Sequence, residues 1–568
     1  SYMDRISMTR LQLIIMVATG VTGLMLAILL KVEFTWTGRG GSIFSVPTVE
    51  THCGPIEGSI SNGVYTFKGI PYAVPPKGER RWKAPEGVSQ EDGTCWNGTF
   101  KAHQFGSMCP QRLQTDQSFA GDEDCLYVNI FTPTLNPKAN LPVMVWIHGG
   151  FLLFASGNLP KYGPDEVTSA NMKEFVFVTF NYRLNVFGFL ALDLLSDASQ
   201  TKHSGNYGFM DQILVLKWVQ QNIKAFGGNP NLVTIYGQSS GATSVYALML
   251  SPLADGLFHR AWSSSGTLLI NKDLATVSKD NLKILEATGC TTLKCLQQLD
   301  PTKLIQAMEV LWDFMDEMSD LPTKGNFDAA LVFADGTVIP DMDFKWKDVP
   351  FMIGTTAQET DSGPIPADVR TWSQQKYIEY VTKKLDTFSE AISSKALELY
   401  PITDSKDPEY QYTSMVSDMR VNCINDVLAS QAYNASRKTG IYRYVFTEFL
   451  SVPTLAFEES SFKAKYAFHY IDNMAFSGHI PNFIESPTVK DLQFQQTMME
   501  NIVSFVQTGS PKAKNWKPWP VGTALLGAKV NFSSGAHGYA PDKCKFWMEN
   551  HFGDCMGHLI NENLIFLP

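Results

Sequence analysis

Short runs dominated by apolar residues punctuate this chain. "PVMVWI" ends at Ile147, "NLVTIY" at Tyr236 and "PFMI" at Ile353, while "IYRYVFTEF" runs from Ile441 to Phe449. Runs of four to eight residues, rich in valine, isoleucine and aromatics, predict buried strands rather than half-exposed ones. Behind "NLVTIY" come a small-residue turn and then "ATSVYALML", Ala242 to Leu250, a stretch that can form a helix. The predicted unit is strand, tight turn, helix. A different pattern stands near the start, where "LQLIIMVATGVTGLMLAILL", Leu11 to Leu30, carries no charge over twenty residues. That length is enough to span a hydrocarbon core.

Composition changes this picture little. The chain has 568 residues, 44% hydrophobic and 18% charged, as an ordinary globular protein has. Length alone suggests three or four domains, a prior that large α/β enzymes break. With 46 basic against 56 acidic residues the net charge is −10, and no long basic run occurs, which argues against nucleic acid as a partner. No repeat of fixed period, low-complexity tract or linker is visible.

The apolar segment 11–30 is preceded by Arg5 and Arg10 and closed by Lys31. Cleaved leaders usually carry about 7–15 apolar residues before a small-x-small site. Ala18-Thr19-Gly20 offers such a site, yet the sequence beyond it stays apolar, so an uncleaved signal-anchor is favoured over a cleaved leader. Residues 1–40 are therefore read as leader and 41–568 as the body of the protein. Either reading expects a membrane-anchored protein facing the lumen or outside, or a secreted one. The nine cysteines, Cys53, Cys95, Cys109, Cys125, Cys290, Cys295, Cys423, Cys544 and Cys555, suit an oxidising compartment. None lies in a Cys-x-x-Cys pair or a histidine cluster, so no metal is expected. Glycosylation sequons stand at Asn97, Asn434 and Asn531.

Candidate chemistry starts at "YGQSSGATS", Tyr236 to Ser244. Framed by Gly237 and Gly241, the pattern Gly-x-Ser-x-Gly selects Ser239 as a nucleophile on a strained strand-to-helix turn. Chance supplies this pattern in a chain of such length roughly one time in five, so the serine needs partners. A serine hydroxyl requires a base, itself oriented by an acid. With the chain order Ser, acid, His, the late histidines are His469, His479, His537, His551 and His558, and Glu359 or Asp361 follows the "PFMI" run. An oxyanion also needs N–H donors, and His148-Gly149-Gly150 after "PVMVWI" is a loop of that kind.

Taken in order, "FKGIPYAVPP", "EDCLYVNIF", "NYRLNVFGFL", "GNYGFMDQILVLKWVQQNIKAFGGNP" and the serine turn resemble the carboxylesterase/cholinesterase family, from about Val49 to Phe552. The resemblance implies an α/β-hydrolase fold: a large central, mostly parallel, twisted sheet flanked by helices in a single catalytic domain. It implies a serine carboxylic ester hydrolase that needs no cofactor and acts on a small-molecule ester. Ser239 falls on the family's nucleophile. Glu359, five residues after Gly354, falls on the acid, and His469, nine before Gly478, on the base, ahead of His479. Gly150, Phe151 and Ser240 fall on the oxyanion donors, with only the N–H of Ser240 in use. Ser265 resembles a serine placed near the acid. Implied disulfides are Cys109–Cys125, Cys290–Cys295 and Cys423–Cys544, and implied ion pairs are Arg81 with Glu123 and Arg183 with Asp211. His148 reads as structural.

Departures from the family carry information. Phe151 replaces the usual third glycine of the oxyanion loop, and Ser240 replaces the usual alanine after the nucleophile. Cys53 and Cys95 lie outside the three-bridge pattern and suit an added bridge, while Cys555 suits a link between two copies. The segment from Cys109 to Cys125 lacks the tryptophan that cholinesterases carry there and has only Phe119 as an aromatic, although Trp82 lies close in sequence. A general carboxylesterase is therefore expected rather than a cholinesterase or lipase. The alternative of another class is an adhesion protein like the inactive neuroligins, which commonly lack the serine found here.

Overall fold

The apolar runs lie side by side in one sheet. The structure, a computed structural model, describes residues 46–158, 174–268, 270, 272–312, 319–324, 331–435, 439–456, 462–535, 538–550 and 552. Eleven strands make the sheet. They are β1 (Ser59–Ser61), β2 (Val64–Pro71), β3 (Tyr127–Thr132), β4 (Leu141–Ile147), β5 (Val176–Phe180) and β6 (Gly228–Gln238). There follow β7 (Arg260–Ser264), β8 (Phe351–Thr356), β9 (Ile441–Phe446), β10 (Gly522–Leu526) and β11 (Val530–Ser534). Their spatial order is β1-β2-β3-β5-β4-β6-β7-β8-β9-β10-β11. Every pairing from β5 through β10 is parallel, and the pairings outside that block are antiparallel. The mostly parallel sheet expected from sequence is thus its centre.

Strands so rich in apolar residues are explained by cover on both faces. Successive side chains of a strand point to opposite sides, so Val143, Val145 and Ile147 join one core with Val233, Ile235, Phe351 and Ile353. Met144 and Trp146 join the other with Tyr236, Trp262 and Met352. Register matters to this packing: Tyr236 pairs with Trp262 across β6 and β7, and their rings stack at 4.1 Å. Such a pair contributes about 0.5–1.5 kcal/mol beyond area burial.

Helices cover the two faces. On the first lie α1 (Tyr207–Asn222) and α2 (Ser240–Leu250), contributing Phe209, Leu216, Val245 and Leu248. On the second lie α3 (Ile471–Phe476) and α4 (Val489–Thr508), contributing Met474, Phe494, Ile502 and Phe505. A capping box between Thr488 and Asp491 starts α4, and Gly509, at φ +81°, ends it. On α1 the fully buried Asp211 takes the Arg183 guanidinium at 2.9 and 2.7 Å and also the Arg183 N–H at 2.9 Å. Arg81 likewise meets Glu123 at 2.7 and 2.5 Å.

Four disulfides are formed: Cys53–Cys95, Cys109–Cys125, Cys290–Cys295 and Cys423–Cys544. The added bridge is therefore present and holds the stretch before β1 to Cys95. Asn97, Asn434 and Asn531 are all exposed. No described helix is long and apolar enough to cross a membrane. The segment Leu11–Leu30, Cys555, His537, His551 and His558 lie outside the described residues.

Candidate active site

In open α/β sheets, ligands bind beyond the carboxyl ends of the parallel strands, and the candidate residues hang there. Ser239 stands between β6 and α2 with φ +59° and ψ −130°, a conformation that ordinary residues avoid. Such strain costs of order 1–3 kcal/mol and persists only where the surroundings enforce it. They do so here by contact. A Cβ at Gly237 would lie 2.1 Å from the Gly241 carbonyl oxygen, and one at Gly241 would lie 2.1 Å from that of Ile147. Only glycines let the strand and helix approach so closely, and that approach leaves the serine at the crest. Its N–H donates to the Ser264 carbonyl at 2.9 Å, and its own carbonyl accepts from Ala242 and Thr243 to open α2.

The candidate acid sits in the turn after β8. Glu359 is 4% exposed, and its Oε1 accepts from the Thr356 N–H at 2.6 Å. Its Oε2 lies 2.5 Å from His469 Nδ1. A carboxylate on Nδ1 puts the imidazole proton there, which leaves Nε2 as the bare acceptor. Facing Nε2 at 2.9 Å is the side-chain nitrogen of Gln238, the residue just before Ser239. Gln238 therefore donates to His469. Among the described residues no hydrogen bond is assigned to Ser239 Oγ.

Sequence alone did not single out Gln238, nor the stitching between the acid and histidine loops. Gln358 donates its N–H to the Ala467 carbonyl at 3.0 Å and accepts the Ala467 N–H through Oε1 at 3.2 Å. Asp361, weighed from sequence as an alternative acid, instead accepts the N–H groups of Lys465 and Tyr466 through Oδ2 at 2.7 and 2.8 Å. Burial pushes its carboxyl up to about 7. Behind the histidine, buried Asp472 accepts from Ser264 Oγ at 2.7 Å and from the Tyr444 hydroxyl at 2.6 Å. Burial also raises that carboxyl.

Ser265, which the resemblance puts near the acid, shows no side-chain bond to it among the described residues. Its N–H donates to Gly354 at 2.7 Å, while its buried Oγ has no partner among the described residues. The serine that reaches an acidic side chain is its neighbour Ser264. His479 is 1% exposed beside α3, and burial lowers its imidazole to about 4. His148 is also buried, stacked on Tyr182 at 4.4 Å, with Nδ1 2.9 Å from the Gly149 carbonyl. Burial lowers it to about 4, so it is neutral at neutral pH and unsuited to gaining a proton there.

The loop after β4 turns on four residues with positive φ: Gly150 (+100°), Phe151 (+58°), Leu152 (+63°) and Ala155 (+79°). Its neighbours hold it in place. Asn185 donates its N–H to the Leu152 carbonyl at 2.7 Å and its side-chain nitrogen to that of Leu153 at 3.0 Å. Gln111, inside the Cys109–Cys125 loop, clasps Ala155 with two bonds, at 2.9 and 2.8 Å. Ser240 Oγ accepts the Leu152 N–H at 3.0 Å. The expectation that only the N–H of Ser240 is used is thereby corrected, because its hydroxyl is engaged as well. The N–H groups of Gly150, Phe151 and Ser240 are assigned no acceptor among the described residues. Those residues also contain no group of three or more His, Cys, Asp or Glu arranged to hold a metal.

Known proteins resemble this chain over most of its length. Residues 45–547 match the model of the carboxylesterase family. The chain belongs to that family. It is 29% identical over 531 residues to the liver carboxylesterase of Sus scrofa, covering 86% of this chain and 89% of that one. It is 31% identical over 411 residues to neurotactin of Drosophila melanogaster, covering 70% of this chain and 46% of that one. The chain thus spans less than half of neurotactin, and likewise 47% of a Bacillus subtilis para-nitrobenzyl esterase. A solved PNB esterase superposes with a TM-score of 0.68 at 29% identity, over 86% of this chain and 98% of that one. The family carries the α/β-hydrolase fold, and the sheet described above is its core.

Proposed function

We propose that this protein hydrolyses carboxylic esters through an acyl-enzyme formed on Ser239. The observation that carries the reading is the 2.5 Å contact of His469 Nδ1 with the buried Glu359, which turns Nε2 toward the residue beside the serine. As substrate enters, the Ser239 hydroxyl takes the place of Gln238 at Nε2, and His469 removes its proton while Oγ attacks the ester carbonyl. Glu359 keeps Nδ1–H oriented and stabilises the developing imidazolium. The tetrahedral oxyanion is received by the N–H groups of Gly150, Phe151 and Ser240, each worth about 2.7–4 kcal/mol in the transition state. His469 then hands its proton to the leaving alkoxide. Water repeats the sequence on the acyl-enzyme and releases the acid, so one ester and one water give one acid and one alcohol.

Short acyl esters are the proposed substrates, because Phe151 brings a benzyl group to a position of the oxyanion loop where the family usually has glycine and no side chain. Choline esters should be poor ones. A quaternary ammonium is held on a bare aromatic face, whereas Phe119 has the Arg112 guanidinium 5.6 Å from its ring centre. Trp82 is buried, and its Nε1 donates to the Val186 carbonyl at 2.7 Å. Four disulfides and three exposed sequons support a lumenal or extracellular catalytic domain, anchored through residues 11–30 or secreted. A homodimer linked through Cys555 completes the proposal. An adhesion role without catalysis is disfavoured by the presence of all three triad residues.

The test is hydrolysis of short-chain p-nitrophenyl esters together with labelling by a fluorophosphonate. Ser239→Ala should lose activity by roughly 10⁶-fold and lose the label while remaining folded. Full activity in that variant would exclude the mechanism.

A further inference from the structure

Two departures from the family pattern, Phe151 in place of glycine and Ser240 in place of alanine, are joined through the N–H of Leu152, the residue after Phe151. Phe151 adopts φ +58° and Leu152 φ +63°, the left-handed region that glycine occupies freely and other residues do not. Asn185 grips the carbonyls of Leu152 and Leu153, and Gln111 grips Ala155. The Leu152 N–H, in the peptide plane that begins at the Phe151 carbonyl, is taken by Ser240 Oγ at 3.0 Å. Alanine at 240 would leave that plane without this anchor, and glycine at 151 would have less need of it.

We propose that the Ser240 hydroxyl is a positioning group that holds the strained Phe151–Leu152 turn, so that the N–H groups of Phe151 and Ser240 keep a fixed separation across the oxyanion. One residue then serves two donors. Its own N–H is one, and its hydroxyl steadies the turn that presents the other. Ser240 is itself held at the head of α2, where its carbonyl accepts the Ser244 hydroxyl at 3.1 Å. The hydroxyl touches no substrate atom in this scheme; it acts through the loop. The inference rests on the proposed ester hydrolysis and extends it to how the loop tolerates a phenylalanine.

A double-mutant cycle tests it, with Ser240→Ala and Phe151→Gly made singly and together. Deleting an oxyanion donor outright costs about 10²–10³ in kcat, and a misdirected donor costs less. Ser240→Ala should therefore lower kcat roughly tenfold with KM nearly unchanged. A trifluoromethyl ketone, which forms a tetrahedral adduct on the serine, should lose affinity in the same proportion. In the Phe151→Gly background the same substitution should change kcat by no more than about twofold, because glycine relieves the turn. Ser240→Thr, which retains the hydroxyl, should preserve most of the activity. Unchanged kcat and ketone affinity in Ser240→Ala, or an equal loss in both backgrounds, would overturn the proposal. Failure of the hydrolytic reading is separate: it would appear as a parent protein that neither turns over esters nor takes a fluorophosphonate on Ser239.

Discussion

Exchanging Asp361 for asparagine probes the clamp between the acid loop and the histidine loop through its proton. Burial is the largest influence on this carboxyl and pushes it up to about 7, with the Glu409 carboxylate adding to the rise. The N–H groups of Tyr466 and Lys465 and the Arg370 guanidinium act in the opposite sense. The folded chain thus retains a proton that the unfolded chain releases near 3.8. Stability from that proton is fully present below about 3.8 and is lost as pH rises toward 7, because over that window the native state binds more protons than the unfolded one. At about 1.4 kcal/mol per pH unit, a window of roughly three units amounts to about 4 kcal/mol. Asparagine keeps an oxygen for the two N–H groups and does not titrate. Its amide nitrogen would occupy the place of Oδ1, which has no partner among the described residues, a cost of about 1–3 kcal/mol that does not vary with pH. Urea unfolding of the parent and of Asp361→Asn, each at about pH 4.5 and about pH 7.5, separates the two effects. The asparagine protein should gain about 3 kcal/mol on the parent between the two conditions. Identical pH dependence in both proteins would refute the reasoning.

Other substitutions reach different parts of the site. Gln238→Glu sets a carboxylate against His469 Nε2 and favours the protonated imidazole, so the acid limb of kcat/KM should move to higher pH. An unmoved limb would show that residue 238 does not face the base. Phe151→Ala should raise kcat/KM for bulky acyl esters relative to acetate, as judged with a graded series of p-nitrophenyl esters; an unchanged profile would remove Phe151 from the acyl site. Asp211→Asn leaves the buried Arg183 charge without its counter-ion and should destabilise the fold by about 3–5 kcal/mol, read as a lower urea midpoint with active-site labelling retained in the folded fraction.

Much of the site could be read from sequence because its pieces are local. The glycines at 237 and 241 announce a turn whose geometry depends on residues within a few positions. The candidate acid and base stand at short fixed distances from Gly354 and Gly478 in segments that resemble the family. What escaped reading depends on contacts between distant segments. Gln238 meets His469 across 231 residues, Lys465 meets Asp361 across 104, and Leu152 meets Ser240 across 88. Composition and periodicity carry no record of such meetings. The run "SSSG" shows the limit most plainly. Which of its serines meets an acidic side chain is decided by where β7 ends and by the phase of its pleat, and the structure gives Ser264 to Asp472 while Ser265 Oγ has no partner among the described residues.

The division of labour around the elbow has an evolutionary consequence. Glu359 and His469 are woven into the molecule by Thr356, Gln358 and Asp361, whereas the hydroxyl of Ser239 is assigned no bond of its own among the described residues. The turn at 239 is enforced by flanking glycines, not by the oxygen it displays. Under the proposed mechanism, a single codon change at 239 would therefore silence the chemistry and leave the architecture standing, with Glu359 and His469 still paired as a relic. From such a scaffold, a protein selected for its surface alone lies one mutational step away.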